Sequence, residues 1–279
     1  MPATTVLLTG ATGYIAGQLL PDLRDRYDLR MIDVRTENRD GRPVPGVKVA
    51  DLLTDDPDTL AAHFSGVDVV VHAGHLHPGA DDLRSHQSTY EVQRRNIDMT
   101  QRVYQLALDA GVRRVVATST NQAAKWYEQP FYAGARDRVD PEDYPRPDTF
   151  YGWAKAAYES LGFLYACGSL GRQLEVLQLR IVVPRDIDPA DFRDQPRERY
   201  IRELAGYISE RDLQQLYRRC IDTPDIADDH GVPFHIFYGV SGNARTFWSI
   251  VNARQVVGYA PQDDSEVRFA ADIAELLHN

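Results

Sequence analysis

Residues 6–16 read Val6-Leu-Leu-Thr-Gly10-Ala-Thr-Gly13-Tyr-Ile-Ala16, the segment that most strongly indicates the fold class. An apolar run that enters a pair of glycines and then a helical pattern is typical of a buried strand, a tight turn and a helix. Such a turn lets the backbone approach a pyrophosphate, which the N–H groups and dipole of the helix then stabilise. The alternative is a glycine turn that binds no ligand. Ala16 stands where a third glycine is common, and alanine is accepted there because the position serves helix–strand packing.

Apolar runs alternate with helical patterns along most of the chain, and continuous apolar runs are typical of parallel strands covered on both faces. We predict strands at Thr5–Thr9, Leu29–Val34, Val47–Ala50, Val67–Ala73, Arg114–Ser119, Leu174–Ile181 and Phe234–Val240. We predict helices at Tyr14–Arg26, Pro57–Phe64, Leu83–Ala110, Tyr151–Ser169, Arg211–Ile221 and Phe247–Val257. The alternation indicates an α/β fold with a doubly wound, Rossmann-type parallel sheet.

The segment Pro184–Tyr200 is charged and rich in proline, and it divides the chain into two expected regions. Residues 1–182 are predicted to form a dinucleotide-binding Rossmann domain. Residues 183–279 are predicted to form a small substrate-binding region that is partly folded back onto the sheet. The segment itself is either a solvated loop or a substrate-covering segment, since it follows the sixth strand.

Composition narrows the class of protein. The chain has 279 residues, of which 43% are hydrophobic and 26% charged, as in an ordinary globular protein. Its net charge of −10 argues against nucleic acids and anionic membranes as partners. Cys167 and Cys220 have no metal-type spacing, so we expect reduced thiols. We expect a cytoplasmic location, because the apolar run Val6–Leu8 meets the glycine turn at once and no apolar stretch approaches the ~20 residues that span a bilayer.

A second stretch, Tyr151-Gly-Trp-Ala-Lys155, places a phenol and an ammonium four residues apart on a helix, where they are neighbours. A free tyrosine titrates near pH ~10, which is too high for a base at neutral pH. A nearby positive charge favours the phenolate. We therefore predict that Lys155 lowers the pKa of Tyr151, and that the pair serves hydride transfer beside the dinucleotide.

Carboxylates follow the second and third predicted strands. Asp33 lies about 20 residues past the glycines, where a carboxylate can hold the ribose hydroxyls of the adenosine. Because a carboxylate repels a 2′-phosphate, Asp33 favours NAD over NADP, although the neighbouring Arg35 leaves NADP open. Asp51, with Leu52, is predicted to lie near the adenine or, alternatively, to cap a helix.

Polar side chains also follow two later strands. The run Thr118-Ser-Thr-Asn-Gln122 ends a strand, and ligands of such sheets bind outside the carboxyl ends of strands. A hydroxyl there can orient a substrate oxygen and stabilise its developing charge; the alternative is an ordinary turn. His72, His75 and His77 allow a metal site, satisfied or solvent-facing imidazoles, or a substrate contact by His77. With no acidic partner beside them, we predict no metal.

Several motifs together resemble the extended short-chain dehydrogenase/reductase superfamily, also described as the NAD-dependent epimerase/dehydratase family. They are Thr9-Gly-x-x-Gly13, Asp51-Leu52, Asn96-Ile97, the hydroxyl-bearing strand end and Tyr151-x-x-x-Lys155. Further motifs resemble uronate dehydrogenases and archaeal sugar-phosphate dehydrogenases. They are Ser119-Thr-Asn121, Arg146-Pro-Asp-Thr-Phe-Tyr151-Gly, Leu179-Arg-Ile181, Tyr207-Ile-Ser209-Glu-Arg-Asp212, Phe237-Tyr-Gly239-Val-Ser241 and Gly258-Tyr-Ala-Pro-Gln-Asp263.

The resemblance implies NAD-dependent oxidation of a cyclic sugar, uronate-like or phosphorylated, at C1 to give a lactone. In this scheme Tyr151 is the general base, Lys155 also binds the nicotinamide ribose, and Thr120 stands at the family's catalytic serine position. Asn121 matches a substrate-binding asparagine. Arg202 falls where the family clamps a substrate carboxylate, which suits arginine; the alternative is an ordinary charge on a loop.

The same resemblance gives a full set of expected site residues. For the cofactor they are Gly10, Thr12, Gly13, Tyr14, Ile15, Asp33, Asp51, Leu52, Ala73, Gly74, Asn96, Thr118, Tyr151, Lys155 and Ile181. For the substrate they are His77, Asn121, Gln122 and Arg202. The chain departs from uronate dehydrogenases at Gln122 (histidine in the family), His77 (serine) and Val183 (serine), all at substrate contacts.

Two other functions are open: an epimerase or dehydratase that retains its NAD, and a non-catalytic dinucleotide-binding protein. We also expect a homodimer or higher homo-oligomer, because the helices predicted at Leu83–Ala110 and Tyr151–Ser169 resemble those that pair in the superfamily's dimers.

Overall fold

The computed structural model describes residues 3–80, 83 and 85–278. Within these residues the strands form one parallel sheet in the order β3-β2-β1-β4-β5-β6-β7. The strands are β1 Thr5–Thr9, β2 Asp28–Asp33, β3 Val47–Val49, β4 Val69–His72, β5 Arg114–Thr120, β6 Glu175–Ile181 and β7 Phe234–Gly239. The predicted fold class, a doubly wound Rossmann-type sheet, is confirmed.

Helices cover both faces of the sheet. They are α1 Tyr14–Arg26, α2 Pro57–Phe64, α3 His86–Asp109, α4 Glu128–Tyr132, α5 Phe150–Ala166, α6 Arg197–Gly206, α7 Glu210–Asp222, α8 Val251–Val257, α9 Ser265–Arg268 and α10 Ala270–His278. Among the described residues, 3₁₀ helices span Asn121–Tyr127 and Pro189–Phe192. One apolar cluster packs α1 and α7 on one face, and a second packs α2, α3 and part of α5 on the other.

Strand order fixes the position of the site. The chain goes from β1 to β2 on one side and reaches β4 on the other side, so β1 and β4 flank the point where the order reverses. Ligands of doubly wound sheets bind at that point, outside the carboxyl ends of the strands. The central strand β1 is apolar and almost completely buried, which anchors the turn that follows it.

Local signals explain most helix boundaries. Asp56 caps α2 by accepting from the N–H groups of Asp58 and Thr59, with a proline in the first turn. The helix predicted from Leu83 begins at His86, after its cap Ser85, and Arg84 lies outside the described residues. It ends before Gly111, whose φ of +75° suits glycine.

The segment from Pro184 to Tyr200, expected to be either a solvated loop or a substrate-covering segment, is partly helical. It contains the 3₁₀ helix at Pro189–Phe192 and the first turn of α6. Tyr200 and Leu204 of α6 are buried, and they form a small apolar cluster with Phe269 and Ile273 from the end of the chain. This helix could not be predicted from its own residues, because its apolar partners lie about 70 residues further along the chain.

Residues after 182 extend the same sheet, because β7 pairs with β6. Val183 also bridges to Tyr207 in parallel fashion. Cys167 and Cys220 are free thiols. Among the described residues, we find no helix both long and apolar enough to cross a membrane.

Candidate active site

A cleft of about 750 Å³ opens at the carboxyl ends of the strands. All but one of the expected site residues line it. From the dinucleotide set these are Gly10, Thr12, Gly13, Tyr14, Ile15, Asp33, Asp51, Leu52, Ala73, Gly74, Thr118, Tyr151, Lys155 and Ile181; the others are Thr120, His77, Asn121, Gln122 and Arg202.

The exception is Asn96. It is completely buried on α3 and does not line the cleft. Its side-chain oxygen accepts from the Leu76 N–H at 2.7 Å, and its side-chain N–H donates to the Leu76 carbonyl at 2.9 Å. Asn96 thus holds the loop after β4, and that loop supplies the lining, while the cofactor contact expected of Asn96 stays a prediction.

The glycine turn after β1 is packed directly against the loop after β4. Gly10 has a φ of +70°, and a Cβ there would lie 2.5 Å from both Cα and N of Gly74. The helix cap Gly13 makes no side-chain capping bond, so the first-turn N–H groups of α1 are open to an anion. This geometry fits a pyrophosphate.

Asp33 at the end of β2 closes the turn from the other side. One of its carboxylate oxygens accepts from the N–H of Thr12 at 2.9 Å and from the Thr12 hydroxyl at 2.8 Å. Arg35 donates to the same hydroxyl at 3.3 Å. A carboxylate and a guanidinium thus face one end of the cleft. Asp51 accepts from the Leu53 N–H at 2.8 Å, so it caps a turn while also lining the cleft.

Helix α5 brings Tyr151 and Lys155 to the middle of the cleft. Lys155 is buried and donates to the carbonyl of Thr118 at 2.8 Å, with its Nζ 6.0 Å from the centre of the Tyr151 ring. Burial raises the pKa of Tyr151, and a hydrogen bond with Thr120 lowers it in part. The net pKa of Tyr151 in the protein alone is therefore raised, because burial dominates, and the lowering that we expect from Lys155 does not set its direction.

Burial also acts on Lys155 itself. It lowers the pKa of this ammonium to about 7, while the negative charge of Glu159 one turn further on opposes the change. Helical spacing predicted the proximity of the two groups but not their desolvation, which depends on the strands packed above them.

The position of Tyr151 is set by its neighbour. Thr149 caps α5 by accepting from the N–H of Gly152 at 3.1 Å. A Cβ on Gly152 would lie 2.3 Å from the carbonyl oxygen of Gln122. The first turn of α5 is therefore in backbone contact with the segment after β5, which carries the polar residues Thr120–Gln122.

The three hydroxyls at the end of β5 have different partners. The Thr118 hydroxyl pairs with that of Tyr217 at 2.7 Å, and Ser119 donates to Glu159 at 3.0 Å. The Thr120 hydroxyl donates to the side-chain oxygen of Asn121 at 3.4 Å and accepts from the Gln122 N–H at 3.3 Å. It also lies close enough to Tyr151 to lower the pKa of that phenol. Of the predicted cluster, then, Thr120 is the member directed at the candidate base.

A buried ion pair below the site was not predicted. Arg180 on β6 and Glu159 on α5 are both buried, and their bonds are 2.8 and 2.7 Å long. Glu159 follows Lys155 by four residues, so the helical spacing alone indicates that the two side chains lie on the same face of α5. Its arginine partner is visible only when β6 is placed beside α5.

The three histidines differ in burial and in their contacts. His72 is enclosed between the hydroxyls of Thr9 and Thr100, and burial lowers its pKa to about 3. His75 packs edge-on against Tyr151, with ring centres 5.2 Å apart, and its buried Nδ1 has no hydrogen-bond partner. Burial, and secondarily Lys155, lowers its pKa to about 2. His77 is exposed. In the part of the chain described, no group of three or more His, Cys, Asp or Glu side chains could hold a metal.

Arg202 on α6 lines the opposite end of the cleft, where it makes ion pairs with Glu128 and Glu203. Asn121 donates to Glu128 at 3.0 Å. Glu128 was not predicted as a site residue, because its partner Arg202 lies 74 residues further along the chain.

Comparison with known proteins gives consistent results. The pattern of the NAD dependent epimerase/dehydratase family matches residues 6–171. The chain is 35% identical to the NAD-dependent glucose-6-phosphate dehydrogenase of Haloferax volcanii, over 93% of this chain and 94% of that protein. It is 30% identical to an L-arabinose 1-dehydrogenase (NAD(P)(+)) of the same organism, over 93% and 97%. It is 29% identical to the uronate dehydrogenase of Pseudomonas putida, over 97% and 88%.

Solved structures share the fold. A mutated uronate dehydrogenase matches with a TM-score of 0.72 and 22% identity, over 98% of this chain and 86% of that one. A variant of the Agrobacterium tumefaciens uronate dehydrogenase complexed with NAD matches with a TM-score of 0.68 and 20% identity, over 98% and 89%.

Proposed function

The chain belongs to the NAD-dependent epimerase/dehydratase family as an NAD-dependent oxidoreductase acting on a sugar-like substrate, and we propose that it oxidises a cyclic sugar at C1 to a lactone. The observation that carries the proposal is the meeting of Tyr151, Thr120 and Lys155 in one cleft whose other end is an open glycine turn. The relatives named for glucose 6-phosphate, L-arabinose and uronates support a sugar substrate.

The residues present fit NAD. Gly10 and Gly13 leave room for backbone contact with the pyrophosphate, and the N–H groups of the first turn of α1 stabilise its charge. Asp33 and Lys155 are suited to the two riboses, at the adenosine and nicotinamide ends respectively. When bound, NAD supplies the acceptor for the hydride that leaves C1.

Tyr151 takes the proton of the C1 hydroxyl as the hydride leaves, so the C1–H and O–H bonds break and a C=O bond forms. Thr120 donates to the reacting oxygen or to the phenolate and so stabilises negative charge there. Burial raises the pKa of Tyr151. The charged form of Lys155 favours the phenolate and so lowers the pKa of Tyr151. Any further positive charge brought into the cleft has the same effect.

Residues 183–279 supply the substrate side of the cleft in this proposal. Val183 and Arg185 follow β6, and Arg202 and Glu203 come from α6; all four line the cavity. Because β7 lies in the main sheet, this region is anchored to the Rossmann domain and does not form a separate layer.

The test is NADH absorbance with a panel of aldoses, uronates and sugar phosphates, for the wild type and Tyr151→Phe. We expect Tyr151→Phe to reduce kcat by about 10²–10⁴-fold, the usual contribution of a general base, with NAD affinity unchanged. The exposed Tyr144→Phe serves as the matched control. Full activity of Tyr151→Phe would contradict the mechanism. Tightly bound NAD with sugar epimerisation and no NADH would establish the epimerase alternative.

We further propose that the protein is a homodimer that pairs helices α3 and α5 across two copies. Phe163 and Leu164 on α5 are each more than 40% exposed, although both are apolar. Light scattering of the wild type and of Phe163→Glu tests this: a dimer that becomes monomeric supports it, and a wild-type monomer rejects it.

A further inference from the structure

The guanidinium of Arg202 is bound by carboxylates of the protein itself. Its Nε donates to Glu128 Oε2 at 3.0 Å and its Nη2 to Glu128 Oε1 at 2.9 Å, which is a bidentate pair. Its Nη1 donates to Glu203 Oε1 at 3.0 Å. Glu128 thus occupies the side of Arg202 with which arginine commonly binds a carboxylate.

Glu128 is held firmly in this position. It is 9% exposed and does not line the cleft, whereas Arg202, Glu203 and Asn121 do. The Asn121 amide donates to Glu128 Oε1 at 3.0 Å, so this carboxylate accepts three hydrogen bonds. Trp248 lies against the guanidinium, 5.6 Å from ring centre to Cζ. Swinging Glu128 aside would leave two N–H donors of Arg202 and a buried carboxylate without their partners, which is costly.

Charge at this end of the cleft is balanced. Arg185 donates to the other oxygen of Glu203 at 2.6 Å. Two guanidinium groups therefore face two carboxylates, Glu128 and Glu203, and the net charge of the four is zero. A substrate carboxylate or phosphate placed here would be a third anion and would lose its hydration without gaining an unpaired cation. Three other arginines line the cleft: Arg35 and Arg39 follow β2 beside Asp33, and Arg95 lies on α3.

The remaining groups suit hydroxyls. A guanidinium has five N–H donors, and three of those of Arg202 are used, so two are left. The Asn121 side-chain oxygen, the Gln122 amide and the Glu203 carboxylate add donors and acceptors beside them. This mixture matches the alternating donor and acceptor character of sugar hydroxyl groups.

We infer that the substrate is a neutral aldose, and that Glu128 is a specificity-determining residue that excludes uronates and sugar phosphates by occupying Arg202. The inference rests on the proposed function and narrows its substrate class. It departs from the carboxylate-clamping role expected for Arg202 from the sequence.

The first experiment compares kcat/KM, from NADH absorbance, for glucose, glucuronate and glucose 6-phosphate, and for galactose and galacturonate. L-arabinose and D-xylose extend the neutral group. We expect the best neutral sugar to exceed every anionic one by about tenfold or more, because juxtaposed like charges oppose binding. A uronate or sugar phosphate as the best substrate would overturn the inference while leaving the proposed function intact. NADH from none of the sugars would instead reject the proposed function.

The second experiment uses Glu128→Gln, which keeps the shape of the side chain and removes its charge. We expect the ratio of kcat/KM for anionic over neutral sugars to rise by about tenfold, through a lower KM for the anionic sugar. Glu142→Gln, on an exposed carboxylate outside the cleft, is the matched control. An unchanged ratio in a folded Glu128→Gln protein would overturn the assignment. If that variant does not fold, the same comparison is made with Glu203→Gln. A rise in the ratio then supports the inference, and an unchanged ratio overturns it.

Discussion

Replacing Gly10 with alanine tests the packing that forms the dinucleotide end of the cleft. At φ +70° an alanine pays about 1–2 kcal/mol for left-handed backbone. Its Cβ would also lie 2.5 Å from Cα and N of Gly74, which are backbone atoms that cannot rotate away. Overpacking of this kind adds about 1–3 kcal/mol. We therefore expect Gly10→Ala to lower the free energy of unfolding by about 2–5 kcal/mol.

Two other glycines separate these contributions. Gly111 also has positive φ, at +75°, but a Cβ there meets nothing within 4 Å, so Gly111→Ala carries the backbone cost alone. Gly17 lies within α1 with helical backbone and open space, so Gly17→Ala is expected to stabilise by about 0.5–1 kcal/mol. All three changes reduce the entropy of the unfolded chain equally, so their differences report the folded state.

Urea unfolding gives the three stabilities, and calorimetric titration with NAD gives the affinities. Gly10→Ala should be the least stable and should bind NAD more weakly, because the turn and Gly74 are forced apart. Gly111→Ala and Gly17→Ala should bind NAD as the wild type does. Wild-type NAD affinity in Gly10→Ala, or equal stability losses for Gly10→Ala and Gly111→Ala, would refute the packing argument.

Three further changes test the catalytic region. Thr120→Val should move the alkaline rise of kcat/KM to higher pH, because the Thr120 hydrogen bond lowers the pKa of Tyr151 against the effect of burial. Glu159→Gln should cost about 3–5 kcal/mol in urea unfolding, since it leaves the buried charge of Arg180 unpaired. Lys155→Met should flatten the rise of unfolding free energy with pH. The folded pKa of Lys155 is lowered to about 7, so the unfolded chain binds the extra proton between that value and its ordinary 10.5, and stability grows with pH in this window.

Each of these has a matched comparison. Thr118→Val removes a hydroxyl that pairs with Tyr217, so the pH profile should stay in place. Asp98→Asn breaks a surface ion pair with Arg94 and should cost less than about 1 kcal/mol. An unshifted pH profile for Thr120→Val would contradict the effect of Thr120 on the pKa of Tyr151. A loss of stability for Glu159→Gln as small as that for Asp98→Asn would contradict the cost of unpairing Arg180. Identical slopes of unfolding free energy against pH for Lys155→Met and wild type would contradict the lowered pKa of Lys155.

Much of the fold could be predicted because its signals are local. The strand–turn–helix of residues 5–26 has the bounds that its apolar period and glycines predict. Pro57–Phe64 also agrees, owing to its aspartate cap and proline. In contrast, α6 presents a charged surface and buries only a few residues, against the end of the chain. Its stabilising contacts are non-local, so periodicity within the segment did not reveal them.

In the site, too, local features could be predicted and contacts between distant residues could not. Residues at strand ends could be assigned to the cleft because parallel strands bring their carboxyl ends together, and Thr120 and Asn121 do line it. Pairings across the fold could not be predicted: Glu128 with Arg202 is one case. The net direction of the Tyr151 pKa could not be predicted for a related reason. Helical spacing reports the distance to Lys155, whereas desolvation depends on everything packed around the ring.

The most direct measurement follows a deuterium label from C1 of a neutral aldose. The protein is incubated with NAD and the C1-deuterated sugar, and the nucleotide and sugar products are analysed by mass spectrometry and NMR. The account predicts deuterated NADH together with the aldonolactone or its hydrolysed acid. NADH without deuterium would place the oxidation at another carbon, and a sugar product that retains the label with no NADH formed would contradict C1 oxidation altogether.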